Sequence, residues 1–282
     1  MRWKPSRYAK AAGDAPPASS RWGMLRFLLI LALLAWLLRS LIVAPFSIPS
    51  GSMLPTLFIG DYLMVAKWPY GYSKASFPLG IPPLDKRLFG RLPERGDVVV
   101  FRPAGSPTDV VKRVIGLPGD TVEVAQGMLI LNGKPLPRQE MGTFAMPVSD
   151  NSPCRVVPPA TPMLRESKEG RTCLYPAYRE TLPNGRTYAV LDQVDSPAAD
   201  HFAPTLVPAG HVFLMGDNRD DSLDSRFSPM EGGMGFVPVE NLVGRAMITF
   251  WSTDGGASYV KPWTWFTALR TDRIGNTFGN LK

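Results

Sequence analysis

Polarity divides the chain into three stretches. Residues 1–26 are polar and basic, Phe27–Leu38 is an uncharged apolar run, and beyond residue 61 short apolar runs alternate with turn residues. Arg39 and Ser40 interrupt the apolar run before Leu41-Ile42-Val43-Ala44 resumes it. The whole stretch from Phe27 to Ala44 approaches the ~20 residues that cross a bilayer core. Arg39 lies near its end, where a long side chain can carry its charge to the headgroups. A cleavable leader is the competing reading, but Ile42-Val43-Ala44 puts a large residue three positions before the cut and Pro45 directly after it. An uncleaved single span is therefore expected. Arg2, Lys4, Arg7, Lys10, Arg21 and Arg26 precede the run, and no basic residue lies between Arg39 and Lys67. The positive-inside rule then leaves the N-terminus in the cytoplasm and everything from about residue 45 outside. The boundaries expected are a tail over 1–23, an anchor over 24–44 and an outer domain over 45–282.

In the outer domain the short runs read as strands. Asp61–Lys67 is one, and Trp68–Pro93, rich in Pro, Gly and aromatics, is an extended loop. Val98-Val99-Val100-Phe101 and Val110–Ile115 are β-branched runs of the kind buried on both faces. Thr121-Val122-Glu123-Val124 alternates and is expected half-buried. Met128–Leu131 runs into Asn132-Gly133, a hairpin signal. Gly210–Met215 and Val237–Trp251 supply the closing strands. The pattern predicts a mainly β fold: one N-terminal transmembrane helix, then an antiparallel barrel or sandwich-like domain. Residues 138–207 are charged and Pro-rich without clear periodicity, and read as an insert or smaller second lobe. The aromatic tail, with Trp263, Trp265 and Phe266 near Lys261 and Arg270, suits either a membrane interface or packing on the domain.

Composition adds little. Hydrophobic residues make up 45%, and 29 prolines with 26 glycines indicate many turns. The net charge of +7 owes much to the basic N-terminus, and no basic–aromatic ladder or zinc-finger spacing accompanies it, which excludes nucleic acid as the expected partner. Cys154 and Cys173 are the full cysteine complement and share the insert. An oxidising compartment would bridge them, free thiols being the alternative, and no further ligands nearby suggest a metal.

The candidate chemistry begins at Pro49-Ser50-Gly51-Ser52-Met53-Leu54-Pro55-Thr56. Prolines on both sides exclude a regular helix or central strand, and Gly51 permits a sharp turn. A serine hydroxyl needs a base before it can attack. His201 and His211 are the only histidines, and nothing in the sequence ties either to the loop. Lys112 interrupts an apolar strand, where desolvation would lower its pKa and let a neutral amine serve as base.

Pro49–Leu57, Arg95–Phe101, Val111–Asp120 and Gly216–Arg226 occur in that order after the anchor, and together they resemble the sequence boxes of the bacterial type I signal peptidases, or leader peptidases. The resemblance implies a membrane-bound serine endopeptidase that removes signal peptides from exported preproteins on the outer face of the bacterial cytoplasmic (inner) membrane. Signal peptides, the phospholipid membrane and the export machinery would be its partners, with no cofactor and no metal. By position it implies Ser52 as nucleophile, Lys112 as general base, Ser222 as the residue orienting the lysine and Ser50 as an oxyanion donor. Asp224 and Arg226 would form a structural ion pair. Phe46, Ile48, Pro49, Met53, Leu57, Val110, Val111 and Met215 would line shallow pockets that accept the small residues of an Ala-x-Ala motif. The chain departs from the family at Val110, where tyrosine or isoleucine is common, and in a longer link over 227–236. A Ser-Lys maturation peptidase with one dedicated substrate and a non-catalytic tethered module are the competing functions.

Overall fold

The apolar run forms helix α1, Arg21–Leu37, continued by a wider π turn over Leu38–Ile42. The computed structural model describes residues 21–278, apart from 159, 160, 162, 169 and 259, so residues 1–20 of the expected tail over 1–23 lie outside the described residues. Trp22–Ile42 is the one helix among the described residues long and apolar enough to cross a membrane, with a mean hydropathy of 2.2 over its best window. Its leucines are apolar on every face and exposed, Leu28 at 52% and Leu34 at 57%, as a bilayer rather than a protein core requires.

The described residues of the domain hold fifteen strands. In chain order they are β1 (Val43–Ser47), β2 (Asp61–Ala66), β3 (Val98–Phe101), β4 (Val110–Gly116), β5 (Thr121–Ala125), β6 (Met128–Leu131), β7 (Lys134–Pro135) and β8 (Arg138–Pro147). Then come β9 (Met163–Ser167), β10 (Gly170–Thr181), β11 (Thr187–Leu191), β12 (His201–Leu206), β13 (His211–Met215), β14 (Val237–Pro238) and β15 (Leu242–Ser252). The main sheet has the order β1-β2-β15-β3-β4-β13-β14, and a second runs β12-β5-β6-β7. Every pairing between strands is antiparallel.

β3 and β4 sit in the middle of the main sheet, which is why their β-branched runs are apolar on both faces. Val98 and Val100 enter one cluster with Leu63 and Val65, while Val99 and Phe101 enter another with Val114 and Leu214. Each such side chain contributes roughly 1.5–3 kcal/mol through burial. β5 alternates buried and half-buried positions. At the turn between β6 and β7, Asn132 and Gly133 both take positive φ, 54° and 74°, the conformation of a type I′ turn.

The expectation of an irregular stretch over 138–207 is corrected. β11-β10-β8, with β9 added on β10, form a third antiparallel sheet there. Its strands escaped notice because all five residues of β9 and seven of the ten in β8 are exposed, leaving no apolar period to read. Backbone pairing holds them instead, as in a long hairpin. β12, also within the stretch, joins β5 in the second sheet.

Cys154 and Cys173 form a disulfide with their Cα atoms 5.4 Å apart. Cys173 is buried in a cluster with Leu54 and Phe58, so the bridge fastens the insert beneath the segment that follows the serines. Closing a loop of this length is worth about 3 kcal/mol on the chain-entropy account. Cys154→Ser should thus lower the urea unfolding free energy by about that amount. An unchanged midpoint and slope would show that the bridge constrains nothing.

Candidate active site

The segment Ser50–Thr56 leaves β1 and returns toward β2 as a run of tight turns. Leu54 donates its N–H to the Gly51 carbonyl at 3.0 Å, and Leu57 to that of Met53 at 2.9 Å. Met53 and Leu57 are buried beneath and hold the turn down. The loop after β13 clasps it from the other side. Asn218 donates its backbone N–H to the Ser52 carbonyl at 3.1 Å and its side-chain amide to that of Gly51 at 3.2 Å. Gly216 faces the same carbonyl so closely that a Cβ there would collide with it and with Ser222. Only glycine permits that approach.

Lys112 reaches this loop from β4, sixty residues away in sequence. Its Nζ and Ser52 Oγ share a hydrogen bond of 2.5 Å, and the lysine is 2% exposed. Burial pushes its pKa down to about 8, with Asp224 opposing that shift and Arg226 adding to it. An appreciable neutral fraction near neutral pH follows. Ser50 Oγ stands 3.5 Å from Ser52 Oγ at the exposed side of the pair.

The Ser222 hydroxyl donates to Asp224 Oδ2 at 2.9 Å and so is oriented by a carboxylate. The lone pairs left over are what it has to offer a neighbouring amine. Asp224 also accepts the Gly216 N–H at 3.0 Å and pairs with Arg226, whose Nε and Nη2 each lie 2.9 Å from its oxygens. Burial opposes the charge on Asp224, yet Arg226 and these bonds hold its carboxyl below the usual range.

Two further charge pairs went unassigned in the sequence, although Asp217 and Arg219 stand in the same Gly216–Arg226 motif. Arg113 binds Asp217 through two bonds of 2.7 and 2.6 Å and the Gly96 carbonyl through a third at 2.9 Å. Thr56, at the end of the serine turn, donates to Asp217 at 2.5 Å. Arg219 grips Glu180 of β10 at 2.7 and 2.5 Å, and Tyr188 of β11 donates to the same carboxylate at 2.7 Å. The Arg113 guanidinium lies 4.4 Å over the Tyr188 ring, which joins the two pairs into one buried network. Neither Lys112 nor Arg113 is solvated, each being 2% exposed, although they point to opposite faces of β4.

The expected pocket residues separate. Phe46, Ile48, Met53, Leu57 and Val111 share one cluster, Val110 packs with Val99 and Phe101, and Met215 packs with Ile115 and Phe213. Leu57 at 0% and Met53 and Met215 at 1% have no surface to offer a ligand in this state, so they support the site from behind. Pro49 is exposed, and Phe46, Val110 and Val111 are half-buried. His211 Nδ1 pairs locally with the Ala209 carbonyl at 3.0 Å, and His201 is exposed on β12. Asp192, Asp200 and Asp220 bring their oxygens within 4.8 Å of one another. Arg138 is already seated on Asp192 at 2.5 Å, and backbone N–H groups of Gln193 and Ser196 serve Asp220 and Asp200. The longer link over 227–236 folds back on the motif, Met234 donating to the Asp224 carbonyl at 3.1 Å.

A serine against a buried lysine on an antiparallel framework is the pairing that a serine hydrolase with an amine base requires. The sequence pattern of the family described as "Signal peptidase, peptidase S26" matches residues 21–251, and the chain belongs to that family of serine endopeptidases. It is similar to signal peptidase I of Rickettsia felis, 36% identical over 94% of this chain and 93% of the relative. Signal peptidase I of Rickettsia prowazekii is 34% identical, over 92% of each. A solved signal peptidase I from Enterococcus faecalis is 25% identical, covering 56% of this chain and 98% of that one with a TM-score of 0.29.

Proposed function

We propose that this signal peptidase removes signal peptides from exported preproteins with Ser52 as nucleophile and Lys112 as general base. The observation that carries the reading is the 2.5 Å contact between Lys112 Nζ and Ser52 Oγ inside a wall that excludes water. Neutral Lys112 accepts the Ser52 proton as Oγ attacks the scissile carbonyl, and then returns it to the leaving amine. Ser50 Oγ and the Ser52 N–H receive the oxyanion. Asp224 aims Ser222 and, with Arg226, holds the loop that carries it. Phe46, Pro49, Val110 and Val111 offer shallow apolar surface with Ile48 buried behind it, which favours small residues before the cut. Purified full-length chain incubated with a preprotein should cut once, after an Ala-x-Ala-type sequence, and Ser52→Ala should leave the preprotein whole. Cleavage by Ser52→Ala would refute the reading.

Loss of one oxyanion donor costs about 10²–10³ in turnover. Ser50→Ala should therefore slow kcat by that factor while Ser52 still reacts with a covalent serine probe. Parental turnover in this variant would remove Ser50 from the oxyanion site.

The basic residues before the apolar helix and their absence just after it support a single pass with the N-terminus in the cytoplasm and the domain outside the inner membrane. There the domain meets preproteins leaving the export machinery. Protease added to spheroplasts should digest the domain and spare the N-terminal segment; survival of residues 100–250 would reverse the orientation.

A further inference from the structure

Lys67 is a buried cation that the peptidase chemistry does not use. It closes β2, is 4% exposed, and among the described residues its ammonium makes no hydrogen bond or ion pair. It lies over the Phe46 ring, 5.4 Å from the ring centre. A charge left this way is costly unless something compensates it. Burial pushes its pKa down to about 8; Asp109 opposes that shift, and Arg39 and Arg102 add to it.

Lys67 lines a cavity of about 50 Å³ together with Arg39, Arg102, Asp109 and Phe46. Arg102 already holds Asp109 by two bonds of 2.8 and 3.2 Å. Three cations thus surround one carboxylate, and two positive charges remain unmatched. A cavity of this size takes a few water-sized groups, roughly the bulk of a phosphate. Its place in the chain narrows the ligand further. Lys67 donates its backbone N–H to the Ile42 carbonyl at 3.0 Å, and Ile42 is the last residue of the apolar helix that also contains Arg39. In a membrane-spanning chain that is headgroup level.

We propose that Arg39, Lys67 and Arg102 form a binding site for the phosphate of an anionic phospholipid headgroup, seated where the anchor leaves the bilayer. A zwitterionic headgroup brings its own ammonium and would leave the excess charge uncompensated; a net-negative one cancels part of it. Because Lys67 lies over Phe46, one of the apolar surfaces beside the serine loop, the bound headgroup would fix the edge of that surface at the membrane. The proposal rests on the membrane-anchored reading and is independent of the Ser52–Lys112 assignment.

The test uses full-length chain in dodecyl maltoside, titrated separately with dioleoylphosphatidylglycerol, dioleoylphosphatidylcholine and sodium phosphate, with bound ligand counted by native mass spectrometry. Phosphatidylglycerol should be held more tightly than phosphatidylcholine, and Arg39→Gln and Lys67→Met should each weaken it about five- to tenfold, the scale of one basic residue at an anionic surface. Lys67→Met should melt no lower than the parent in lipid-free detergent, since it removes an unpaired buried charge, and Arg39→Gln alters an exposed position. Equal retention of the two lipids overturns the proposal, as does phosphatidylglycerol binding that ignores both substitutions. Sodium phosphate binding as tightly as phosphatidylglycerol would make this a free-anion site and overturn it too. Preprotein cleavage, measured separately, tests the catalytic reading whichever way the lipid titration falls.

Discussion

Lys112→Arg should abolish preprotein cleavage at every pH, lowering kcat/KM by about 10⁴-fold or more, the scale on which a catalytic group is lost. The parent enzyme should meanwhile gain activity steadily from pH 6 to 8. Both outcomes follow from one proton. In the proposed mechanism the active form of Lys112 is neutral, and burial has brought its pKa down to about 8, close to Ser52 Oγ. Below that value the neutral fraction falls about tenfold per pH unit, and kcat/KM falls with it. Above it the fraction saturates and the profile levels. An unburied lysine near 10.4 would keep the profile rising past pH 9 without the levelling near 8. Guanidinium stays protonated throughout, so arginine cannot supply the base at any point of the profile. The measurement is kcat/KM against pH for parent and variant on the same preprotein. A flat parental profile from pH 5 to 9, or substantial turnover by the arginine variant, would remove Lys112 from the mechanism.

The second large effect is structural and sits behind the serine turn. Arg113→Met should cost about 3–5 kcal/mol, because it leaves the Asp217 carboxylate buried without its partner. That carboxylate also receives Thr56, at the end of the turn carrying Ser52, so the loss reaches the site as well as the fold. The double variant Arg113→Met with Asp217→Asn should recover part of the loss, since it removes the stranded charge. Urea denaturation of parent, single and double variants reads the coupling directly. Additive losses would mean that the two residues do not act as a pair, whatever their 2.6 Å separation.

Much of this was legible in the order of residues because the signals are local. A bilayer-length apolar run needs no partner to be recognised, and the charge imbalance around it bears on its orientation. β3 and β4 declare themselves through unbroken β-branched runs, and Asn132-Gly133 through the positive φ that both residues accept. Pro49, Gly51 and Pro55 mark an irregular turn for the same backbone reasons, whatever lies across from it. The four motifs pointed by resemblance to the family to which the chain belongs, and offered Ser52 and Lys112 as the residues proposed for its chemistry.

Other features depended on long-range contact and left no local trace. β8 and β9 have mostly exposed side chains and are strands only because β10 lies between them to take up their backbone groups. The tail beyond β15 offered two readings, and packing decided part of it. Arg273 reaches Asp61 at 2.6 Å and the Thr56 carbonyl at 3.0 Å, while Arg270 reaches the Ile59 carbonyl at 2.5 Å. Trp263 and Phe266, in contrast, remain exposed at 65% and 81%. Asp217 was visible as an acid in a turn, but its bond to Arg113 spans more than a hundred residues. The direction of the Ser222 hydroxyl was likewise set by where Asp224 comes to rest. Most of all, sequence could name Lys112 as a cation in an apolar strand but could not fix its protonation. Desolvation is a property of everything that surrounds the amine, and only the closed sheet, with the serine loop laid across β4, supplies those surroundings.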